Sequence, residues 1–328
     1  MNLITAKLHL DAGVQLPGES ALRIAGEVWA PRNLPADAPA IALVCLPGGG
    51  MSRRYFDLPV EDDTGHSFSF ARQMVARGFV VIALDHLGIG DSDRPVDGYA
   101  LTAEVVAKAN AHATEQIVSR LRDGTLTTEL PALKLLITLG VGHSMGAMMT
   151  LLQQAQYRQH AGIALLGFST RGLPEYLPPQ VRELARDTAA VRAKLPQLAR
   201  TMFVQPYPVL KPTPQASGIY SGKGADPRGA AAIKQIANPL LPVPAFMSML
   251  PDNVLPEAKQ IAVPVFLGLG ELDMAGPPHE IPASFSASWD VTLYVIAAAG
   301  HSHFLFPSRV GLYDRIAAWA RTVGAAVH

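Results

Sequence analysis

Along most of the chain, short apolar runs rich in β-branched residues alternate with longer stretches whose apolar positions recur at helical spacing. The runs at residues 41–46, 79–85, 135–141, 162–168, 265–269 and 291–297 predict strands, most of them too continuous to leave one face wet, as in a parallel sheet covered on both sides. Residues 22–29 alternate instead and predict an early antiparallel strand. Helices are expected between the runs. Residues 67–76 stop before Gly78, Thr102 stands where it can cap a helix over 104–121 that ends before Gly124, and residues 309–323 carry Leu312, Ile316, Trp319 and Ala320 on one side. Strands and helices in this alternation predict an α/β fold, a mostly parallel central sheet flanked by helices.

The alternation breaks after Phe168 and resumes near Ile261. Between them stand Pro174, Pro178, Pro179, Pro196, Pro206, Pro208, Pro212, Pro214, Pro239, Pro242 and Pro244. Proline has no N–H to give to a ladder, so this stretch cannot supply central strands. Residues 171–260 are expected to form an inserted, mainly helical cap over one edge of the sheet, with helices at 179–198 and 228–237. The core is then split into residues 1–170 and 261–328. A structureless connection of that length is uncommon in compact proteins.

Composition narrows the function classes. With 49% hydrophobic and 16% charged positions in 328 residues, the chain can bury a large core. Twenty-seven basic side chains against 27 acidic ones give zero formal charge, which removes the electrostatic footprint of a nucleic-acid binder. The single cysteine, Cys45, lies in an apolar run and is read as a buried small hydrophobe. Residues 1–10 lack the basic start and apolar block of a secretory signal, and a cytoplasmic location is expected. The most apolar segment, residues 132–149, is broken by Lys134, Gly140, Gly142 and His143, so no membrane span is expected. An apolar composition without net charge permits homo-oligomers.

The strand predicted at 135–141 runs into Gly142-His143-Ser144-Met145-Gly146, and a helical stretch follows. In a G-x-S-x-G turn between strand and helix, the serine adopts a strained backbone conformation, and glycines on both sides let the two elements approach. Ser144 is therefore the candidate nucleophile. The helix beginning there leaves the N–H of Met145 free to stabilise an oxyanion. His143 points away from Ser144 by strand alternation and is read as a packing residue.

Here the sequence resembles the α/β-hydrolase superfamily along nearly its whole length outside the insert. Leu46-Pro47-Gly48-Gly49-Gly50 is similar to the family's oxyanion loop, and Asp85-His86-Leu87-Gly88-Ile89-Gly90-Asp91-Ser92 to its D-x-x-G-x-G-x-S turn. The resemblance implies Gly49 N–H as the second oxyanion donor, with Gly50 as the alternative. Pro47 stands where relatives often carry histidine, which leaves the donor open between the two. In the family's G-x-x-D pattern the acid is Asp273, and Glu271 is structural. The end of the preceding strand, Phe168-Ser169-Thr170, offers no carboxylate; Glu175 is the nearest.

A serine hydroxyl needs an imidazole base, and the base needs a carboxylate that fixes its tautomer. Candidates for the base are His301 and His303 in Gly300-His301-Ser302-His303, and the order Ser, Asp, His along the chain agrees with this fold. His301 follows glycine directly, as the family's catalytic histidine commonly does, and is preferred. His303 is the alternative base, or a residue that supports the site or faces substrate. An H-x-H pair without H-E-x-x-H or a second cysteine does not make a metal site, so neither a metal nor an organic cofactor is expected.

The resulting chemistry is acyl transfer to water, with an ester or lactone as the natural substrate. Serine at the turn disfavours haloalkane dehalogenase and epoxide hydrolase chemistry, in which relatives use aspartate there. An insert rich in proline, methionine and aromatics suggests an apolar pocket for a bulky hydrophobic small molecule, lined by Tyr207, Tyr220, Phe246, Met247, Met249 and His303. Residues 47–56 with 84–88 are similar to bacterial capped esterases, among them enzymes that open macrolactones such as zearalenone. Readings of another class are a ligand-binding receptor on the same fold, or a cofactor-free haloperoxidase or acyltransferase using the same serine.

Overall fold

The computed structural model describes residues 3–209 and 222–327. Eight strands build one sheet: β1 (Leu3–Asp11), β2 (Arg23–Pro31), β3 (Ala40–Leu46), β4 (Val80–Leu84), β5 (Leu136–His143), β6 (Gly162–Leu166), β7 (Val265–Gly270) and β8 (Val291–Ile296). Their order is β1-β2-β4-β3-β5-β6-β7-β8. β1 and β2 pair antiparallel, as do β2 and β4, and every further pair through β8 is parallel. The register sets Leu46 beside Gly142, His143 beside Leu166 and Gly270 beside Ile296, so the carboxyl ends of the central strands finish along one edge. Open parallel sheets bind ligands in the crevice outside that edge.

α1 (Phe70–Ala76), α2 (Ala103–Asp123) and α3 (Met145–Tyr157) are the early crossover helices. Thr102 caps α2 by accepting the Val105 N–H, and Gly124 closes it in a left-handed conformation, φ 70°, as the sequence signals require. Between β6 and β7 run α4 (Pro179–Leu184), α5 (Thr188–Arg192), α6 (Leu195–Met202), α7 (Pro227–Gln235), α8 (Pro242–Met249) and α9 (Leu255–Ala258). The single helix expected over 179–198 is thus three short ones. Asp187 restarts the chain as α5 by accepting the Ala190 N–H, and Pro196 sits in the first turn of α6, where its missing donor costs nothing. α10 (Arg309–Val327) closes the chain.

The sheet separates two apolar clusters. Ala42, Val44 and Leu46 of β3 face one with Val106 and Ile117 of α2 and Met148 and Leu152 of α3. Leu43 and Cys45 face the other with Phe70 and Met74 of α1 and Leu312, Ile316 and Trp319 of α10. Burial on both faces is why the central strands read as unbroken apolar runs. β1 is the strand the pattern did not predict: Thr5, Lys7 and His9 alternate with its buried end residues Ile4 and Leu10, and pairing along all of β2 holds it at the edge.

The turn after β4 shows why its residues are spaced as they are. The buried Asp85 carboxylate accepts the backbone N–H groups of Arg53 at 2.6 Å and Asp91 at 2.9 Å, and pairs with the Arg53 guanidinium. Ser92 Oγ donates to Asp85 O at 3.0 Å and accepts the Ala25 N–H at 2.9 Å. At Gly90, φ 59°, a Cβ would strike the Asp85 carboxylate. This knot fixes the segment that follows Gly48-Gly49-Gly50 against the strand ends.

Candidate active site

Ser144 sits between β5 and α3 with φ 54° and ψ −122°, a backbone conformation that costs a non-glycine residue on the order of 1–3 kcal/mol. Its N–H donates to Leu166 O at 2.8 Å, which ties the turn to β6. A Cβ at Gly142 would meet the Ala147 backbone, and one at Gly146 would meet the carbonyl oxygens of Leu46 and Pro47. Gly146→Ala is therefore expected to destabilise the fold by about 3 kcal/mol, because both obstacles are backbone held by β3. A denaturant midpoint within about 0.5 kcal/mol of wild type would contradict so close an approach.

Two loops bring the other side chains to Ser144. Asp273 follows β7 and His301 follows β8. His301 Nε2 lies 2.8 Å from Ser144 Oγ, and His301 Nδ1 lies 2.8 Å from Asp273 Oδ1. Oδ1 also accepts the Ala275 N–H at 3.0 Å. The second oxygen, Oδ2, lies 2.9 Å from His303 Nε2. His301 thus stands between the hydroxyl and the carboxylate, whereas His303 meets the carboxylate from the far side. Glu271 accepts the Ala298 N–H at 2.8 Å, and Glu175 pairs with Arg171 at the surface, so neither joins the group.

Burial pushes the Asp273 carboxyl up, but the charge and hydrogen bond of His301, with the hydrogen bond and charge of His303, outweigh it and hold the group well below the usual carboxylate range. An ionised acceptor is what an imidazole at Ser144 needs in order to keep its proton on Nδ1 and present Nε2 to the hydroxyl. His143 is fully buried, its ring 4.9 Å from that of His301, and its Nε2 donates to His301 O at 2.8 Å. Desolvation, then the charges of His301 and His303, hold His143 well below its ordinary value, so it stays neutral.

The glycine loop passes directly over the turn. A Cβ on Gly48 would come within 3.2 Å of Ser144 Cβ, and one on Gly49 would lie 3.9 Å from Met145 Cβ. Met51 N–H bonds Gly48 O at 3.2 Å with Gly50 at φ 74°, a turn whose third position requires that conformation. Gly50 O accepts the Asn238 N–H at 2.8 Å, and Asn238 Oδ1 accepts the Gly90 N–H at 3.1 Å. One residue of the insert therefore links both loops, and no sequence signal marked it. Met145 heads α3, where its N–H has no intrahelical acceptor.

A cavity of about 30 Å³ touches Ser144 and His301, with Met145, Phe168, Leu173 and Ser248 among its walls. Beyond it a cavity of about 260 Å³ is lined by Thr170, Arg171, Pro251, Asp252, Glu280 and Ile281 among others. Ser169 and Ala275 line both, and Ser169 Oγ donates to Ala275 O at 2.6 Å between them. The insert residues expected at a pocket lie elsewhere. Phe246 and Met247 are fully buried, because that side of α8 packs into the core, and they line neither cavity. Met249 is partly buried against the same core, and the Tyr207 hydroxyl donates to Pro95 O at 2.7 Å. His303 is fully buried and lines neither cavity, and Tyr220 lies outside the described residues. Gly167 carried no sequence signal either: its φ of 61° strains any other residue, and a Cβ there would press the His301 ring at 3.1 Å and Asp273 Oδ2 at 3.2 Å. Among the described residues no cluster of three or more His, Cys, Asp or Glu is placed to hold a metal ion, and no helix is long and apolar enough to cross a membrane.

Residues 43–310 match the model of the Alpha/beta hydrolase family. No curated protein matches the sequence. Among solved structures, a thermophilic esterase from Thermogutta terrifontis is similar over 97% of this chain and 99% of that one, at 20% identity and a TM-score of 0.59. A monoacylglycerol lipase from Paleococcus ferrophilus is similar over 98% of this chain and 100% of that one, at 17% identity and a TM-score of 0.59. A bromoperoxidase from Bacillus anthracis is similar over 97% and 100%, at 13% identity and a TM-score of 0.59. At these identities the likeness is one of fold.

Proposed function

Because the chain belongs to the alpha/beta hydrolase family, we propose that its site, Ser144 with His301 and Asp273, hydrolyses a carboxylic ester or lactone through an acyl-enzyme. The observation that carries this reading is the unbroken line of contacts from Ser144 Oγ to His301 Nε2 and from His301 Nδ1 to Asp273 Oδ1, each 2.8 Å. His301 takes the hydroxyl proton as Ser144 Oγ attacks the carbonyl carbon. The N–H groups of Met145, at the head of α3, and of Gly49, in the loop over the turn, are assigned as the donors that receive the oxyanion. As the tetrahedral adduct collapses, His301 returns the proton to the leaving alkoxide, and then activates the water that releases the acid and restores Ser144. Asp273 keeps the imidazole in the needed tautomer and stabilises its cation.

The substrate reading is a bulky hydrophobic ester or a macrolactone, with residues 171–260 acting as the cap that encloses it. A space of about 30 Å³ against Ser144 is far too small for a bulky substrate, so most of such a substrate has to extend into the adjoining space of about 260 Å³. The Ser169 and Ala275 contact is then the partition that moves when substrate enters. A panel of aryl esters and large lactones, read by product mass, tests the proposal: cleavage of at least one member with release of the free acid is expected. No turnover across the panel, with binding of panel members intact, would instead favour a receptor.

A further inference from the structure

The Asp273 carboxylate serves two imidazoles, and only one of them faces Ser144. His303 is fully buried, and its Nε2 lies 2.9 Å from Asp273 Oδ2. The Gly270 N–H lies 3.2 Å from the same nitrogen, which cannot accept it while donating to the carboxylate. Beside an ionised oxygen a lone pair on Nε2 would be repelled, so the proton belongs on Nε2 and points at Asp273. The other ring nitrogen, Nδ1, is buried without a hydrogen-bond partner. The His303 ring therefore has one hydrogen bond, and among the described residues it supplies the only side-chain donor on Oδ2, while Oδ1 holds His301 Nδ1 and the Ala275 N–H.

We propose that His303 is a positioning residue for the hydrolytic reaction: it holds Asp273 in the plane of the His301 ring and, by drawing on the carboxylate's charge, limits how strongly Asp273 stabilises the His301 imidazolium, which must give up its Nε2 proton to the leaving group. This rests on the reading of Ser144, His301 and Asp273 as the hydrolytic group. Two consequences follow from the geometry. Loss of the donor frees the carboxylate to rotate about its last bond, which misaligns His301 and lowers kcat. It also concentrates negative charge toward His301 Nδ1, which favours the protonated imidazole and moves the acid limb of kcat/KM to higher pH. The other titratable groups around this pair are His143, whose ring lies 5.7 Å from that of His303, and Tyr55, whose ring lies tilted against that of His143 at 4.7 Å. Neither contacts Asp273 through a hydrogen bond, so neither replaces the lost donor.

The test compares His303→Leu, His303→Asn and His303→Gln in the full chain with an aryl ester found to be a substrate. Leucine fills the space without a donor. Asparagine places its amide near the position of Nδ1, and glutamine reaches the position of Nε2. His303→Leu and His303→Asn are expected to lose about 10- to 100-fold in kcat, the range of a hydrogen bond to a charged group, with KM unchanged because His303 lines neither cavity. Their acid limb should move upward in pH, and His303→Gln should recover most of both effects. Fluorophosphonate titration counts competent sites in each variant, so partial unfolding is separated from slow turnover. An acid limb at the wild-type position in the folded donor-less variants, or no recovery with glutamine, overturns the assignment. Should leucine prevent folding, the asparagine and glutamine pair decides alone. Failure of wild type itself to react with fluorophosphonate is the failure of the proposed function, and is read separately.

Discussion

Ser144→Ala is expected to lower ester hydrolysis by on the order of 10⁴- to 10⁶-fold while leaving the protein folded. The serine hydroxyl is the only group on the turn that His301 Nε2 contacts, at 2.8 Å, and alanine offers nothing to carry the acyl group. What remains is the acceleration from the oxyanion donors and from binding. The stability cost should be small, about 1 kcal/mol, since alanine keeps the Cβ and therefore the same backbone strain at φ 54°, and one hydrogen bond is lost. Steady-state rates and a thermal melt on the same preparation separate the two effects. Retention of a tenth of wild-type activity in a folded Ser144→Ala protein would rule out the acyl-enzyme on this residue.

Asp273→Asn should be nearly as damaging to turnover, on the order of 10³- to 10⁴-fold in kcat. Three donors converge on this side chain: His301 Nδ1, the Ala275 N–H and His303 Nε2. A carboxamide has one acceptor oxygen and two donor hydrogens, so it cannot serve all three, and it carries no charge to stabilise an imidazolium. The same variant carries a pH signature in stability. The carboxyl of Asp273 is held well below its ordinary value of 3.8, so its stabilising contribution is complete above that value and drains away as pH falls toward the lower folded-state value. Below about pH 4, wild type should lose stability more steeply than Asp273→Asn, and the two curves should run parallel above about pH 5. Equal acid slopes, measured by denaturant unfolding at each pH, would contradict the depressed carboxyl.

Much of this arrangement was legible in the chain because covalent geometry forces it. A buried parallel strand has no wet face, so β3, β5, β6 and β7 read as apolar runs, and the turn at Ser144 needs the two glycines that flank it. The antiparallel edge was half legible: the run at 22–29 predicted β2, which is buried along most of its length, whereas β1, whose exposed Thr5, Lys7 and His9 alternate with buried or partly buried residues, was not predicted. What separates His301 from His303 is not spacing. Both follow the last strand, two residues apart, and the loop conformation turns one ring toward Ser144 and the other behind Asp273. Local pattern carries no record of that rotation.

The insert was the least legible part. Proline density argued against strands, and among the described residues none runs between β6 and β7, but it did not place the helix breaks at Asp187 and Lys194. Phe246 and Met247 have the composition of a pocket wall and the burial of a core, since apolar chemistry is the same whether the neighbour is substrate or leucine. Asn238, Ser169 and Gly167 carried no signal of their own. They matter because distant segments meet at them: Asn238 joins the loops at Gly50 and Gly90, Ser169 bonds Ala275, and Gly167 makes room for the His301 ring.

The central claim, that the Ser144 oxygen is the activated nucleophile, is tested most directly by treating the folded protein with a fluorophosphonate and mapping the adduct by peptide mass. One adduct on the peptide containing Ser144 is expected, absent from heat-unfolded protein and from Ser144→Ala. An adduct on any other serine, or none on folded wild type, would contradict it.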